Sequence, residues 1–349
     1  MKESELLQGQ ELGWMQDARE WILKVLSRNS LQLSGDIDSQ KLRPWSAVLK
    51  IPTSGGAYYF KASSDATAFE PRLTAALYRW TPDCVPSVLS IEPRRSWMIM
   101  ADSGQPVRQF FQNGLPVEKW NEILRKYAAV QIAASEHLDE LTSYGVRDRR
   151  PAVMPELFDL LIGDEDWLLI EEDGGLSKND VEVLRLSGGY VESLCQRLAD
   201  FNVPNSVHHN DLHDANIFYN SGKFVFFDWG DSSISHPFFS LRTSFVSVEN
   251  TFDLAEGHPI FQELAASYLG MWSDFESQEN LWEAYRTARR LWSLSSCIKY
   301  WTIFSQLDRH RDYFKTAVPS LLKEFLDANP ELREDAVKRH FYMSSSRVP

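Results

Sequence analysis

Three oxygen-bearing side chains stand in an order and spacing that could do chemistry together: Asp211, Asn216 and Asp228, within the stretch Val207–Asp231, VHHNDLHDANIFYNSGKFVFFDWGD. Asp211 and Asn216 fall in or beside a polar loop. Ala215–Tyr219 is apolar and aromatic, Asn220-Ser221-Gly222 is a turn signal, and Lys223–Phe227 is a β-rich run. A hairpin of this kind holds the acid at its exit a fixed distance from the loop at its entrance, so the three side chains are expected to converge. Phosphoryl transfer asks for that arrangement. It needs a carboxylate to orient or deprotonate the attacking hydroxyl, and hard oxygen ligands for a Mg²⁺ that bridges the phosphates.

Each residue also has a plainer role open to it. Asp211 could cap a turn, Asn216 could be a strand-edge amide, and Asp228 could cap a helix before Ser232-Ser233. Taken singly those roles are the safer choice; taken jointly, with an apolar hairpin between them, they are not. A metallohydrolase is the other reading, because His208, His209, Asp211, His213 and Asp214 crowd together. Dinuclear sites need imidazoles on one face and further ligands downstream, and only His236 and scattered histidines follow.

The spacing from Asp211 to Asn216 reproduces the D-x-x-x-x-N step of kinase catalytic loops, and Asp228-Trp229-Gly230 stands where kinases place D-F-G. With His209 ahead of Asp211, the segment resembles the H-x-D-x-x-x-x-N loop of aminoglycoside phosphotransferases and of choline kinase-like small-molecule kinases. The resemblance implies Asp211 as base or orienter and Asn216 and Asp228 as Mg²⁺ ligands. His209 is expected to shape the loop by hydrogen bonding, and Asp231 to be either a further acidic support or a cap. His236-Pro237-Phe238-Phe239-Ser240-Leu241 is similar to the family segment that plugs back beneath the metal site. No A-P-E triplet or long activation loop follows, so the substrate platform of a protein kinase is missing.

The elements that must position these groups begin with a leading helix over 16–26. The runs Ala47–Ile51 and Ala57–Ala62 flank the turn Thr53-Ser54-Gly55-Gly56 and predict a hairpin. The second run carries Lys61. A lone strand lysine is ordinarily solvated, but this one looks like the kinase β3 lysine that contacts nucleotide phosphates. A helix over 69–80, with Pro71 in its first turn, places Glu70 where it can hold Lys61; the alternative for Glu70 is to complement the helix dipole. Strands over 85–91 and 96–100 complete a five-strand lobe with one inserted helix. Met100 and Asp102, at the hinge Ala101-Asp102-Ser103-Gly104, are where the adenine edge is expected. The kinase Gly-rich loop is absent; Arg43-Pro44-Trp45-Ser46 takes its place, with Ser46 the candidate for phosphate contact and Trp45 a packing residue.

From Leu115 on, the pattern is helical: 117–141, a mixed segment over 154–170, an acidic break at 171–175, and 180–201 interrupted at Gly188-Gly189. Beyond the motif stretch, helices are expected over 261–275, 280–304 and 317–328. The aromatic residues Trp282, Tyr285, Trp292, Tyr300 and Trp301 read as core.

A chain of 349 residues has room for two lobes. Its three cysteines, Cys84, Cys195 and Cys297, are too far apart to suggest a disulfide framework or a zinc site, and they read as structural thiols. The start, MKESELLQGQ, lacks an apolar signal core and no stretch reaches membrane-spanning length, so a cytoplasmic location and no membrane partner are expected. A formal charge of -13 argues against nucleic acid. It is compatible with a cationic acceptor such as an amino sugar or choline-like amine, although acidity of this size also serves solubility.

The expectation is an α+β, two-lobed protein-kinase-like fold: a small antiparallel β-sheet lobe over 1–102 and a mainly helical lobe over 103–349. The activity expected is transfer of the γ-phosphoryl group of ATP, or GTP, with Mg²⁺, to a hydroxyl of a small molecule. The acceptor expected first is a cationic amino sugar or aminoglycoside. A choline-, homoserine- or sugar-type kinase, or a catalytically silent nucleotide-binding relative, is the alternative. Catalytic Asp211, metal-binding Asn216 and Asp228, and nucleotide-binding Lys61, Glu70, Ser46, Met100 and Asp102 carry it, in a monomer or homodimer.

Overall fold

Ala18, Ile22, Val25 and Leu26 recur at helical spacing and put one apolar face on the first helix, α1 (Glu3–Arg28). That face is buried against Leu49, Ile51, Phe60, Ala62, Trp97 and Ile99. Trp14, Trp21 and Trp97 surround Phe60 edge to face, with centroids 5.4–6.1 Å away. The computed structural model describes residues 3–43, 46–111, 114–306 and 314–335, side chains from residue 13 onward, and the chain forms two compact units, Met1–Gly104 and Gln105–Pro349.

The first unit is a five-stranded antiparallel sheet: β1 (Asp38–Arg43), β2 (Ser46–Thr53), β3 (Gly56–Ser63), β4 (Val88–Glu92) and β5 (Trp97–Ala101), in the order β1-β2-β3-β5-β4. The β2–β3 hairpin closes tightly. Gly56 takes φ +110°, and Thr53 Oγ1 accepts from the Gly55 N–H and donates to the Gly56 carbonyl. β3 is the central strand, which buries Lys61 opposite Val48 and Met98. The inserted helix is α2 (Glu70–Trp80). β4 begins three residues later than the periodicity suggests, beyond Pro86, which has no N–H to give a ladder. Pro44 and Trp45 lie outside the described residues.

The second unit is mostly helix. In chain order it runs β6 (Gln105–Pro106), α3 (Val107–Phe110), α4 (Val117–Ser135), α5 (Leu138–Ser143), β7 (Arg147–Asp148), α6 (Met154–Gly163), α7 (Glu165–Leu168), α8 (Lys178–Arg185), α9 (Gly188–Ala199) and β8 (Ser206–His208). After these come β9 (Ile217–Asn220), β10 (Lys223–Phe226), β11 (Ser233–Ser235), α10 (Leu241–Phe252), α11 (Ile260–Leu269), α12 (Gln278–Phe304) and α13 (Ala317–Ala328). Several helices differ from the periodicity. The stretch expected as one helix over 117–141 breaks at Glu136-His137. The break expected at Gly188-Gly189 falls at Leu186-Ser187, so the glycines open α9. The helix expected over 261–275 ends at Leu269. Tyr285 and Trp292 are core, whereas Trp282, Tyr300 and Trp301 are half-buried. None of Cys84, Cys195 and Cys297 is in a disulfide. Among the described residues, no helix is long and apolar enough to cross a membrane.

Two small sheets frame the motif stretch. β10, β9 and β6 pair antiparallel; β11 lies between β7, parallel, and β8, antiparallel. The β9–β10 turn is Ser221-Gly222, both at positive φ (49° and 87°), the pairing a two-residue hairpin turn requires. α4 fixes β8 from behind. Tyr127 and Gln131, one turn apart, both point at it: the His209 N–H donates to Tyr127 Oη at 3.0 Å, and Gln131 Nε2 donates to the Val207 carbonyl at 2.9 Å. Tyr268 Oη donates to Gln131 Oε1 at 2.6 Å, which completes the network.

Tyr127→Phe should strand the buried His209 N–H and lower stability by about 1–3 kcal/mol, read as a shift of the urea midpoint. His236 gives a pH signature. It is buried, and burial pushes it down to about 3. Its folded pKa lies below the unfolded value, so stability is intact above about pH 6.5 and falls as the pH drops toward 3, where only the unfolded chain takes the proton. His236→Gln should flatten the stability–pH slope between pH 6 and 4 by up to about 1.4 kcal/mol per pH unit; an unchanged slope refutes this.

Candidate active site

The catalytic loop begins where β8 ends. Asn210 takes a left-handed backbone (φ 65°), held by its own side chain: Nδ2 donates to the His208 carbonyl, the Asp231 carbonyl and Ser233 Oγ at 2.9–3.1 Å. That turn presents Asp211. Asn216 Nδ2 donates to the Asp211 carbonyl at 2.9 Å and to Asp211 Oδ2 at 2.8 Å. Its amide nitrogen is therefore committed to Asp211, and its amide oxygen is the atom left to act as a ligand. His213 Nε2 lies 3.3 Å from the same Oδ2. Both contacts fall on one carboxylate oxygen, which leaves Oδ1 able to accept a further hydrogen bond.

Asp228 is tied to this loop through the residue before it. The Phe227 N–H donates to the Asn216 carbonyl at 2.8 Å. His209 bridges the other side: its Nδ1 accepts from the Asp211 N–H at 3.3 Å, so its Nε2 carries the proton and donates to the Phe227 carbonyl at 2.7 Å. Burial pushes His209 below its ordinary value and keeps it neutral. Both ring nitrogens are occupied, so His209 is neither a proton shuttle nor a metal ligand. His208, the preceding strand residue, alternates to the opposite face. The shared imidazole face that a dinuclear hydrolase needs is thus missing, and among the described residues no cluster of three His, Cys, Asp or Glu has metal-site geometry.

Asp228 itself is exposed and left-handed (φ 63°, ψ 61°), a conformation that costs a non-glycine residue about 1–3 kcal/mol. Trp229 holds it there. The buried indole donates Nε1–H to the Phe226 carbonyl at 2.9 Å and packs on His209 and Tyr127. Asp228 makes no side-chain cap to the short helical turn Trp229–Asp231, so the capping role does not apply. Its carboxylate and the Asn216 amide oxygen are hard oxygen donors of the kind Mg²⁺ takes.

The charges are coupled. Burial opposes ionisation of Asp211, but the hydrogen bond with His213 and the positive charges of Lys299 and His213 hold it well below the usual carboxylate range. For His213, burial is likewise overcome, here by Asp211 and Asp214, which push it up to about 9. Asp214 in turn pairs with Arg108 at 2.6 Å. Lys299 was not singled out from the sequence. It is a lone lysine in a buried run of α12, and its Nζ lies 3.4 Å from the Asn210 carbonyl and 3.4 Å from Asp231 Oδ2. The sequence signal is a single charge in the otherwise uncharged run 291–304. Asp231 is the acid that meets it.

In the first unit, Lys61 Nζ meets Glu70 Oε1 at 2.5 Å, and Ser63 Oγ donates to Glu70 Oε2 at 2.6 Å. Both partners of the ion pair are buried. Ser46 sits half-buried at the start of β2, opposite Arg43 and Ser63. Met100 is buried in β5 between Tyr59 and Val88. The Asp102 N–H donates to the Ala57 carbonyl at 3.0 Å, and its carboxylate accepts from the Gly104 N–H at 2.9 Å. In the second unit, Asp164 accepts from Trp301 Nε1, and Glu165 pairs with Arg185.

The profile of the Phosphotransferase enzyme family matches residues 43–292. A search of curated proteins finds no match. Among solved structures, the chain is similar to the GDP and kanamycin complex of APH(2″)-IIia, at 14% identity and TM-score 0.58 over 89% of this chain and 99% of that one. It is similar to a Plasmodium vivax ethanolamine kinase, at 17% identity and TM-score 0.57 over 85% of this chain and 83% of that one. It is also similar to the macrolide 2′-phosphotransferase MphH from Brachybacterium faecium, at 15% identity and TM-score 0.54 over 86% of this chain and 98% of that one. At such identities the likeness is one of fold, a two-lobed kinase-like α+β architecture. Residues 43–292 run from the end of β1 to the middle of α12 and take in both the Lys61–Glu70 pair and the Asp211–Asn216–Asp228 loop: the chain belongs to the phosphotransferase enzyme family, the small-molecule kinases.

Proposed function

We propose that this protein transfers the γ-phosphoryl group of ATP or GTP to a hydroxyl of a small molecule. The observation that carries the reading is the hydrogen-bonded unit of Asp211, Asn216 and the Phe227–Asp228 strand exit, which gathers one hydroxyl-orienting carboxylate and two hard oxygen donors. Asp211 Oδ1 accepts the hydrogen bond of the acceptor hydroxyl and aims its oxygen at the phosphorus. A carboxylate held this acidic is a weak base, so its main contribution is orientation, with the proton passing late in a loose transition state. The Asn216 amide oxygen and Asp228 carboxylate would hold Mg²⁺, which supplies charge neutralisation on the phosphates. Lys61, kept extended by Glu70, takes the nucleotide phosphates as a point charge. Ser46 at the β1–β2 connection is the further phosphate contact, and the Met100–Asp102 strand end is the adenine edge. The reaction takes place without a membrane or nucleic-acid partner.

Incubation with ATP or GTP, Mg²⁺ and a panel of alcohols, followed by nucleoside diphosphate release, tests the activity directly. A silent nucleotide-binding relative would bind and release nothing above background with every alcohol. Asp211→Asn should lower kcat by about 10²–10⁴-fold with nucleotide affinity retained; normal turnover in that variant excludes Asp211 as the orienting group. Asp228→Ala should remove the Mg²⁺ dependence of nucleotide binding, measured by titration with and without the metal. Unchanged affinity and unchanged dependence would put the metal elsewhere.

A further inference from the structure

The three-stranded sheet β7-β11-β8 carries a set of buried polar atoms that its own neighbourhood does not satisfy. Arg149 Nε and Nη1, His208 Nδ1, Ser232 Oγ and His236 Nε2 are buried and have no hydrogen-bond partner among the described residues. They are five of the ten such atoms found there. All lie on or against β11: His208 in the strand it pairs with, Ser232 and His236 at its two ends, and Arg149 bonded through its N–H to the Ile234 carbonyl. Buried polar groups in folded proteins are nearly always paired, so a concentration of orphans in one place marks something that is to be filled.

What fills it is set by sign. Arg149 is 2% exposed and makes one side-chain hydrogen bond, from Nη2 to Thr302 Oγ1 at 2.6 Å. Lys299, 4% exposed, lies one turn before Thr302 on the same face of α12 and reaches Asp231. Arg147, in β7, is also within electrostatic reach of Asp231. Lys299 faces two carboxylates, Asp231 and Asp211, whereas among the described residues Arg149 has none within ion-pair distance, and the next acid, Asp148, is committed to Arg150 at 2.5 Å. Burial and the neighbouring Arg147 pull the Arg149 guanidinium down to about 9, which leaves it charged at neutral pH. An excess of buried positive charge is unusual in any protein, and this chain carries 49 acids against 36 bases. The orphan atoms of Arg149 are donors, Nε and Nη1, one on each side of the Nη2 that Thr302 holds, and a donor of fixed positive charge calls for an oxyanion.

We propose that Arg149 and Lys299, with Ser232, form a binding site for a carboxylate or phosphate group, carried by the acceptor or supplied as a free anion, directly behind the catalytic loop. Lys299 connects it to the chemistry, because its ammonium bonds the carbonyl of the residue that precedes Asp211. An acceptor with an acidic group here would present a hydroxyl toward Asp211. The inference rests on the kinase reading for that last step only; the site itself rests on Arg149 and its surroundings.

Inorganic phosphate is the probe, titrated by calorimetry into the full-length protein saturated with Mg²⁺ and a non-hydrolysable ATP analogue, so that the nucleotide site is not available to it. Binding should be weakened roughly tenfold or more in Arg149→Met and Lys299→Met, and recovered in part in Arg149→Lys, with circular dichroism confirming the fold of each. Should Arg149→Met fail to fold, the Lys299→Met and Arg149→Lys titrations decide. No phosphate binding, or equal binding in wild type and folded variants, overturns the proposal. If the nucleotide analogue does not bind, the kinase reading fails, and the same titration on the nucleotide-free protein still tests the anion site. Turnover of glycerate and glycerol 3-phosphate against glycerol separates the sources. A lower KM for the acidic alcohols that rises in Arg149→Met, with kcat changed less, assigns the anion to the acceptor; phosphate binding without that preference assigns a free anion.

Discussion

The His209 imidazole is the constraint on which the rest of the site depends. One ring, neutral and buried, accepts from the Asp211 N–H and donates to the Phe227 carbonyl. Those two bonds fix the loop entrance to the hairpin exit, and the hairpin length does the remainder by returning Phe227 to Asn216. Protonating this ring would break the first bond, because Nδ1 would become a donor facing another donor. Burial prevents that, and Trp229 and Tyr127 supply the burial by covering the ring and the strand behind it. The aromatic residues of the motif thus act through the histidine's protonation state, and the histidine acts through geometry.

The same logic explains why two non-glycine residues accept left-handed backbones here. Asn210 and Asp228 flank the unit at its two ends, and each sits where the chain turns sharply. Asn210 is held by three hydrogen bonds from its own amide, Asp228 by the anchored indole that follows it. Strain of this size persists only where the surroundings over-determine the conformation. Gln131 and Tyr127 on α4 complete that over-determination from the helical side.

The sequence carried the local devices and lost the long-range ones. The β9–β10 hairpin was legible because a turn signal sits between two β-rich runs, and the β2–β3 hairpin because two glycines do the same. Helix α2 was legible from its proline and its apolar spacing. The break at Glu136-His137 was not, because Leu138 and Leu141 continue the apolar stripe across it and periodicity is blind to a change of axis. Within the site, Asp211, Asn216 and Asp228 follow from spacing alone. Lys299 and Tyr127 reach the loop from 89 and 82 residues away in the chain, and nothing in a linear pattern pairs them with it. A lone charge in an otherwise uncharged helical run is the signal that Lys299 leaves, and it reads equally well as a snorkelling surface residue.

Net charge is the clearest case of a global quantity that misleads locally. A chain with formal charge -13 attracts cations at long range, and that fact alone favours an amine acceptor. Yet exposed charges more than about 8–10 Å apart are largely screened at physiological salt, whereas buried charges are not. The field at the back of the catalytic loop is therefore set by Arg149, Lys299 and Arg147 against Asp231 and Asp211. An acidic surface steers encounters, but selection takes place in the desolvated site, where an unpaired guanidinium penalises an amine and rewards an oxyanion. The discrimination between acceptors is then carried by the few buried charges near Asp211 and not by the many that make the chain acidic.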